Sequence, residues 1–174
     1  MARIVQKFGG TSVGDVERIK NVALKVKAER DLGNEVAVVL SAMSGETNRL
    51  IDLVNQIGSL HDACEYDTVV ATGEQVTIGL LALALHDLGV SARSWLGWQV
   101  QFHTDDIHTK ARIQKIDVSE LDKRMKSGEV PVVAGFQGIG TDKRITTLGR
   151  GGSDTSAVAL AAALGADRCD IYTD

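Results

Sequence analysis

Three short segments set small residues and glycines in front of a helical pattern: K-F-G-G-T-S-V at Lys7 to Val13, S-A-M-S-G-E-T at Ser41 to Thr47, and T-L-G-R-G-G-S-D-T-S at Thr147 to Ser156. Glycine lets a backbone come close to a ligand, and the free amides of a helix start, with the helix dipole behind them, favour negative charge. Lys7 and Arg150 add a cation to the first and third segments. Singly, each glycine pair also reads as a turn, Lys7 as a solvated strand-end lysine and Arg150 as a loop cation paired with a surface acid. Their joint placement after strands predicts a site for a polyanion. Neither G-x-x-x-x-G-K-[ST] nor G-x-G-x-x-G occurs, so the reading rests on placement and not on a nucleotide fingerprint.

The elements that must position these loops follow from periodicity. Arg3 to Phe8 reads as a strand, followed by a helix whose Val16, Ile19, Val22, Ala23 and Val26 recur at threes and fours until Gly33 ends it. Glu35 to Ala42 and Glu129 to Phe136 are β-branched runs suited to strands buried on both faces. Helices are predicted over Asn48 to Ile57, over Tyr66 to Leu88 as one piece, over Ser119 to Lys126 with Ser119 and Asp122 as its start signal, and from Ser153 or Asp154 as cap to near Gly165. Further strands are predicted near Val90 to Trp95, at Arg112 to Ile116 and at Cys169 to Thr173, with a short hairpin at Arg144 to Leu148 inside a glycine-rich loop. Alternating strands and helices predict an α/β fold with a mainly parallel sheet covered on both faces, and such sheets bind ligands at the carboxyl ends of their strands.

Composition narrows the functions. The 174 residues suit one domain, and 44% hydrophobic with 24% charged residues is ordinary for a folded chain. Nineteen basic against 23 acidic residues give a net charge of -4 with no basic block, so no nucleic-acid partner is expected. The longest apolar run is far short of the roughly 20 residues of a membrane span and the N-terminus lacks a signal-peptide pattern, so no membrane is expected and the compartment expected is the cytoplasm. Cys64 and Cys169 read as buried reduced thiols, His61, His86, His103 and His108 as structural or surface residues, and Trp95 and Trp98 as packing residues, with no metal motif among them. Eighteen glycines against one proline show that glycine does more here than make turns.

Five motifs in order resemble the N-terminal part of aspartokinases: K-F-G-G-T-S-V at 7, S-A-M at 41, A-T-G-E at 71 to 74, V-A-G-F-Q-G at 133 to 138 and T-L-G-R-G-G-S-D-T-S-A at 147 to 157. The resemblance implies the amino acid kinase (carbamate kinase-like) fold, a three-layer αβα sandwich, with residues 1–174 as the N-terminal portion of the kinase domain. It implies phosphorylation of the β-carboxylate of L-aspartate by ATP with Mg²⁺ held mainly through phosphates, in the synthesis of lysine, threonine and methionine, by a homo-oligomer. Lys7, Phe8, Gly9 and Gly10 would meet the ATP phosphates, Ser41 would line the nucleotide side, and Thr173 and Asp174 would begin the segment reaching ribose and base. Thr47, Glu74, Arg150, Gly151, Gly152 and Ser153 would hold aspartate, and Asp154 would orient the lysines at the transferred group. Aspartokinases continue past D-I-Y-T-D with more of the nucleotide loop and regulatory domains, so a truncated chain with weak ATP binding and impaired turnover is expected. The residue types also leave open an exposed helix face for Glu74, a plain helix cap for Asp154, a kinase of another small carboxylate or nucleotide, and a non-catalytic binding module.

Overall fold

The computed structural model describes residues 1–173. In chain order the elements are β1 (Arg3–Phe8), α1 (Val16–Asp31), β2 (Glu35–Leu40), α2 (Glu46–Ile57), α3 (Ala63–Val70), α4 (Gly73–Asp87), β3 (Ala92–Trp95), α5 (Gly97–Val100), β4 (Phe102–Thr104), β5 (Ile113–Ile116), α6 (Ser119–Lys126), β6 (Val130–Ala134), β7 (Gln137–Ile139), β8 (Ile145–Thr147), α7 (Gly152–Leu164) and β9 (Arg168–Tyr172).

A five-stranded sheet in the order β3-β6-β2-β1-β9 has every neighbouring pair parallel. β1 and β2 run side by side from Arg3 opposite Glu35 to Phe8 opposite Leu40, so both end level and deliver their following loops to one place. Their apolar runs are buried because helices cover both faces. On one face Ile19, Val22 and Val26 of α1 and Ile78, Leu81 and Leu85 of α4 pack on Val36, Val38, Leu40 and Val132. On the other, Leu121 and Met125 of α6 and Leu160 and Leu164 of α7 pack on Val5, Ala37, Val39 and Val133. This is the expected three-layer αβα sandwich. A smaller mixed sheet, β5-β4-β7-β8, stands beside it; the hairpin expected within Arg144 to Leu148 is not there, for that stretch supplies the single strand β8, which pairs with β7 with Gln137 opposite Thr147.

Several expectations need correction. The single helix over Tyr66 to Leu88 is two helices, α3 capped by Asp62 and α4, with a break at Ala71 and Thr72. Thr72 turns its hydroxyl back to the Val69 carbonyl at 2.7 Å, and Gly73 packs so close to Ala42 that a Cβ would lie 2.8 Å from the alanine methyl. Neither Ser153 nor Asp154 caps α7; both lie inside its first turn after Gly151. Ser119 likewise is inside α6, and its amide is satisfied by Asp117 Oδ1 at 3.0 Å, while Asp122 pairs with Arg3 and Lys126. Both cysteines are half-buried and free, and Trp98 is exposed where Trp95 is buried.

Candidate functional site

Lys7 is the last but one residue of β1, at the carboxyl end of the sheet, and its side chain passes between the sheet and α7 so that only 10% of it is exposed. Its Nζ lies 2.6 Å from Asp154 Oδ1. That carboxylate oxygen has no directed hydrogen bond, so the contact is held by charge and not by alignment. The ion pair keeps the ammonium beside Asp154 at the carboxyl end of the sheet. Gly9 lies beside it, a Cβ there falling 3.5 Å from Nζ, and Gly10 meets the second loop so closely that a Cβ would stand 2.9 Å from the Ala42 carbonyl. Ser44 N donates to Gly10 O at 3.1 Å, and Ser41 N to Phe8 O at 3.2 Å, which locks the β1–α1 and β2–α2 loops together.

Three helices start at this place. α2 begins after Gly45 (φ 82°), α4 after Thr72 and α7 after Gly151 (φ 69°), and none of the three has a side chain bonded to its first amides. α1 and α3, which start elsewhere, are capped by Asp15 and Asp62. One first-turn amide of each is taken by a loop carbonyl, Glu46 N by Met43 O, Gln75 N by Thr72 O and Gly152 N by Gly149 O, and the others, with the helix dipoles, add positive potential. The walls formed by Lys7, Gly10, Ser41 to Gly45, Thr47, Asn48, Glu74, Phe136, Gly149 and Gly151 to Asp154 enclose a cleft of about 320 Å³, within the range of small-molecule sites.

Glu74, in the first turn of α4, is only 2% exposed, which removes the exposed-face reading. Its Oε2 is buried with no hydrogen-bond partner. Burial pushes its carboxyl up to about 8, against the opposing pull of the Glu74 and Ala42 amides. An uncompensated buried acid in a cleft is a place for a ligand cation, which would restore the charged form.

The cleft brings together Lys7, Gly10, Ser41, Thr47, Glu74, Gly151, Gly152, Ser153 and Asp154. The remaining expected residues lie differently. Arg150 is exposed between two lining glycines and is not itself a wall. The Phe8 ring is wholly buried, stacked on Tyr172 at 4.5 Å, so only its backbone can serve the cleft. Thr173 lines a different depression with Ser12, Lys25 and Tyr172. Asp174 lies outside the described residues. Sequence reasoning missed Met43, Asn48 and Phe136 as walls. Phe136 had a signal in its glycine neighbour within V-A-G-F-Q-G, and it adopts φ 73°, unusual for a bulky residue and common at ligand sites. Among the described residues no cluster of three or more His, Cys, Asp or Glu is placed to hold a metal ion.

Comparison with known proteins agrees with this geometry. The amino acid kinase family matches residues 2–174. An aspartate kinase of Stutzerimonas stutzeri (strain A1501) is 63% identical over 174 residues, covering 100% of this chain and 42% of that protein. The crystal structure of the aspartate kinase from Synechocystis superposes with a TM-score of 0.84 at 50% identity, over 98% of this chain and 28% of that one. That of E. coli aspartokinase III in complex with aspartate and ADP superposes with a TM-score of 0.80 at 28% identity, over 98% of this chain and 49% of that one. The chain thus spans about two fifths of the length of the curated relatives it matches. On fold, cleft and full-length match together, the chain belongs to the amino acid kinase family and corresponds to the N-terminal part of aspartokinases.

Proposed function

We propose that residues 1–174 form the N-terminal portion of an aspartate kinase domain that moves the γ-phosphoryl group of ATP to the β-carboxylate of L-aspartate, giving 4-phospho-L-aspartate and ADP. The observation that carries this is the sharing of one cleft by the Lys7 ammonium, three helix starts without side-chain caps and the buried Glu74 carboxyl, whose Oε2 has no hydrogen-bond partner. A carboxylate nucleophile is ionised at neutral pH, so no general base is required, and none of the histidines lines the cleft. The task that remains is to align two anions and neutralise the moving charge.

In this reading Lys7, the Gly9 and Gly10 amides and the first turn of α7 take the phosphates, and Asp154 keeps the Lys7 ammonium aimed. Ser41 lines the nucleotide side. Glu74 takes the substrate ammonium, Thr47 and Ser153 offer hydroxyls, and Arg150 swings in to pair with the α-carboxylate through its planar fork. Mg²⁺, carried in by the phosphates, supplies further charge neutralisation. The corresponding cellular role is a step toward lysine, threonine and methionine in the cytoplasm, within a homo-oligomer.

The test is to incubate the chain with Mg-ATP and aspartate and trap acyl phosphate as its hydroxamate, with glutamate and acetylglutamate as controls. Aspartate-dependent hydroxamate is expected; equal yield from the controls overturns the substrate assignment. Because Phe8 and Thr173 face away from the cleft, a second reading is that the chain binds aspartate without turnover, which calorimetric binding without hydroxamate would establish.

A further inference from the structure

Asp67 of α3 is wholly buried, outside the cleft, and accepts from four donors. Oδ2 takes His108 Nδ1 at 2.8 Å, the Thr109 amide at 3.1 Å and the Thr147 amide at 3.0 Å, and Oδ1 takes the Thr147 hydroxyl at 2.6 Å. Hydrogen bonds to a charged acceptor are about twice as strong as neutral ones, and four converging on one buried group fix the segments that carry them. Those segments lead to opposite walls of the cleft. Thr147 ends β8 three residues before Arg150, and Asp67 lies seven residues before Glu74, across the joint between α3 and α4. Thr109 holds a left-handed backbone (φ 70°), and its carbonyl sits where a Cβ on Gly149 would come within 3.2 Å. A second bond runs the same way, Gln137 Nε2 donating to the Ala71 carbonyl at 2.8 Å at the joint between α3 and α4.

We propose that Asp67 is a positioning residue for aspartate: one carboxylate ties the approach to Glu74 to the Thr147–Gly152 loop and so sets the spacing between the groups that take the substrate ammonium and α-carboxylate. This rests on the functional reading above. The phosphate side rests chiefly on Lys7 to Gly10 and Ser41 at the ends of the central sheet, away from this hub, and shares with the hub's loop only the start of α7. Removing the hub therefore weakens aspartate far more than nucleotide.

The test compares Asp67→Ala with Asp67→Asn, whose carbonyl can still accept three bonds while its amide donates to the Thr147 hydroxyl. Aspartate and ATP affinities are measured by calorimetry, and amide exchange is followed with no ligand present. Asp67→Ala is expected to weaken aspartate binding by about tenfold or more and ATP binding by less than about twofold, with Asp67→Asn close to wild type, because small misplacements of binding groups are costly. Exchange at residues 147 to 152 should rise about tenfold while the β2 amides keep their protection. If Asp67→Ala fails to fold, Thr147→Val, which removes only the hydroxyl bond, should show the same effects in smaller measure. Equal loss of both ligands, no loss of either, or unchanged exchange at 147 to 152 overturns the proposal. A wild-type chain that binds no aspartate would fail the functional reading instead, and the exchange comparison would still decide whether Asp67 orders the loop.

Discussion

At the scale of single residues, the proposed function divides the chemistry of the cleft between Lys7 and Glu74. Lys7 is the one lysine in its wall, held by Asp154 without a directed bond, so its truncation removes a preorganised charge at the transferred group. Lys7→Ala, in the chain or in a longer protein that contains it, should lower the rate of phosphoryl transfer on the order of 10² to 10³, read from hydroxamate formation at saturating aspartate. A loss below about threefold would remove Lys7 from the mechanism. Glu74 should instead govern aspartate binding and its pH dependence. With its carboxyl at about 8 the free cleft holds a proton at pH 7, and pairing with an ammonium requires that proton to leave. Aspartate affinity should therefore rise about tenfold per pH unit below 8 and level off above it. Calorimetry at pH 7 in buffers of different ionisation enthalpy should count close to one proton released per aspartate bound. Glu74→Gln should abolish both the release and the slope.

At the scale of elements, the strands and the helices of the central sandwich were legible because their burial leaves a period in the sequence: β1, β2, β6 and α1 fall within a few residues of their predicted bounds. What was not legible lies where a contact distant in sequence overrides a local pattern. Tyr66 to Leu88 reads as one helix, and it is broken at Ala71 and Thr72, where Gly73 packs against Ala42, about thirty residues away. The missing caps on α2, α4 and α7 were equally hidden, since Ser153 and Asp154 are both favoured cap residues and yet sit two and three residues past the cap position, which Gly151 holds. Those uncapped starts make the glycines before them unequal in a testable way. A Cβ on Gly152 would lie 2.9 Å from Phe136 Cδ2 and 3.1 Å from Leu148 Cβ, and Phe136 cannot retreat because Ser156 Oγ accepts from its amide and Leu148 donates to its carbonyl. Gly152→Ala should weaken aspartate binding by about tenfold through displacement of the Phe136 wall. Gly79 of α4 is the control, with open space at its Cβ, and Gly79→Ala should leave binding alone and stabilise the chain by about 1 kcal/mol in thermal melts.

For the whole molecule, the cleft imposes a pH dependence on folding that surface charges do not cancel, because the two act in different windows. Glu46, Asp62, Asp106, Asp117 and Asp122 are each held below their ordinary values, the first chiefly by Arg49, the second by the α3 amides, the next two by Thr141 and Ser119, and the last by Lys126 and Arg3. Groups of that kind contribute stability above their unfolded values near 4, and it is lost only as pH falls below them. Glu74 has the opposite sign. Its carboxyl is raised from 4.5 to about 8 on folding, so the folded chain keeps a proton that the unfolded chain has released. Its contribution is fully present below 4.5 and is lost as pH rises to 8, at up to about 1.4 kcal/mol per pH unit. Thermal midpoints should therefore peak in mildly acidic buffer, fall toward pH 8 and flatten beyond it, while Glu74→Gln should show no fall between pH 5 and 8. A ligand ammonium beside Glu74 would supply the missing partner, so saturating aspartate should raise the midpoint more at pH 8 than at pH 5.5, on top of the ordinary gain from binding the folded state. Equal shifts at both pH values would mean that aspartate does not pair with Glu74.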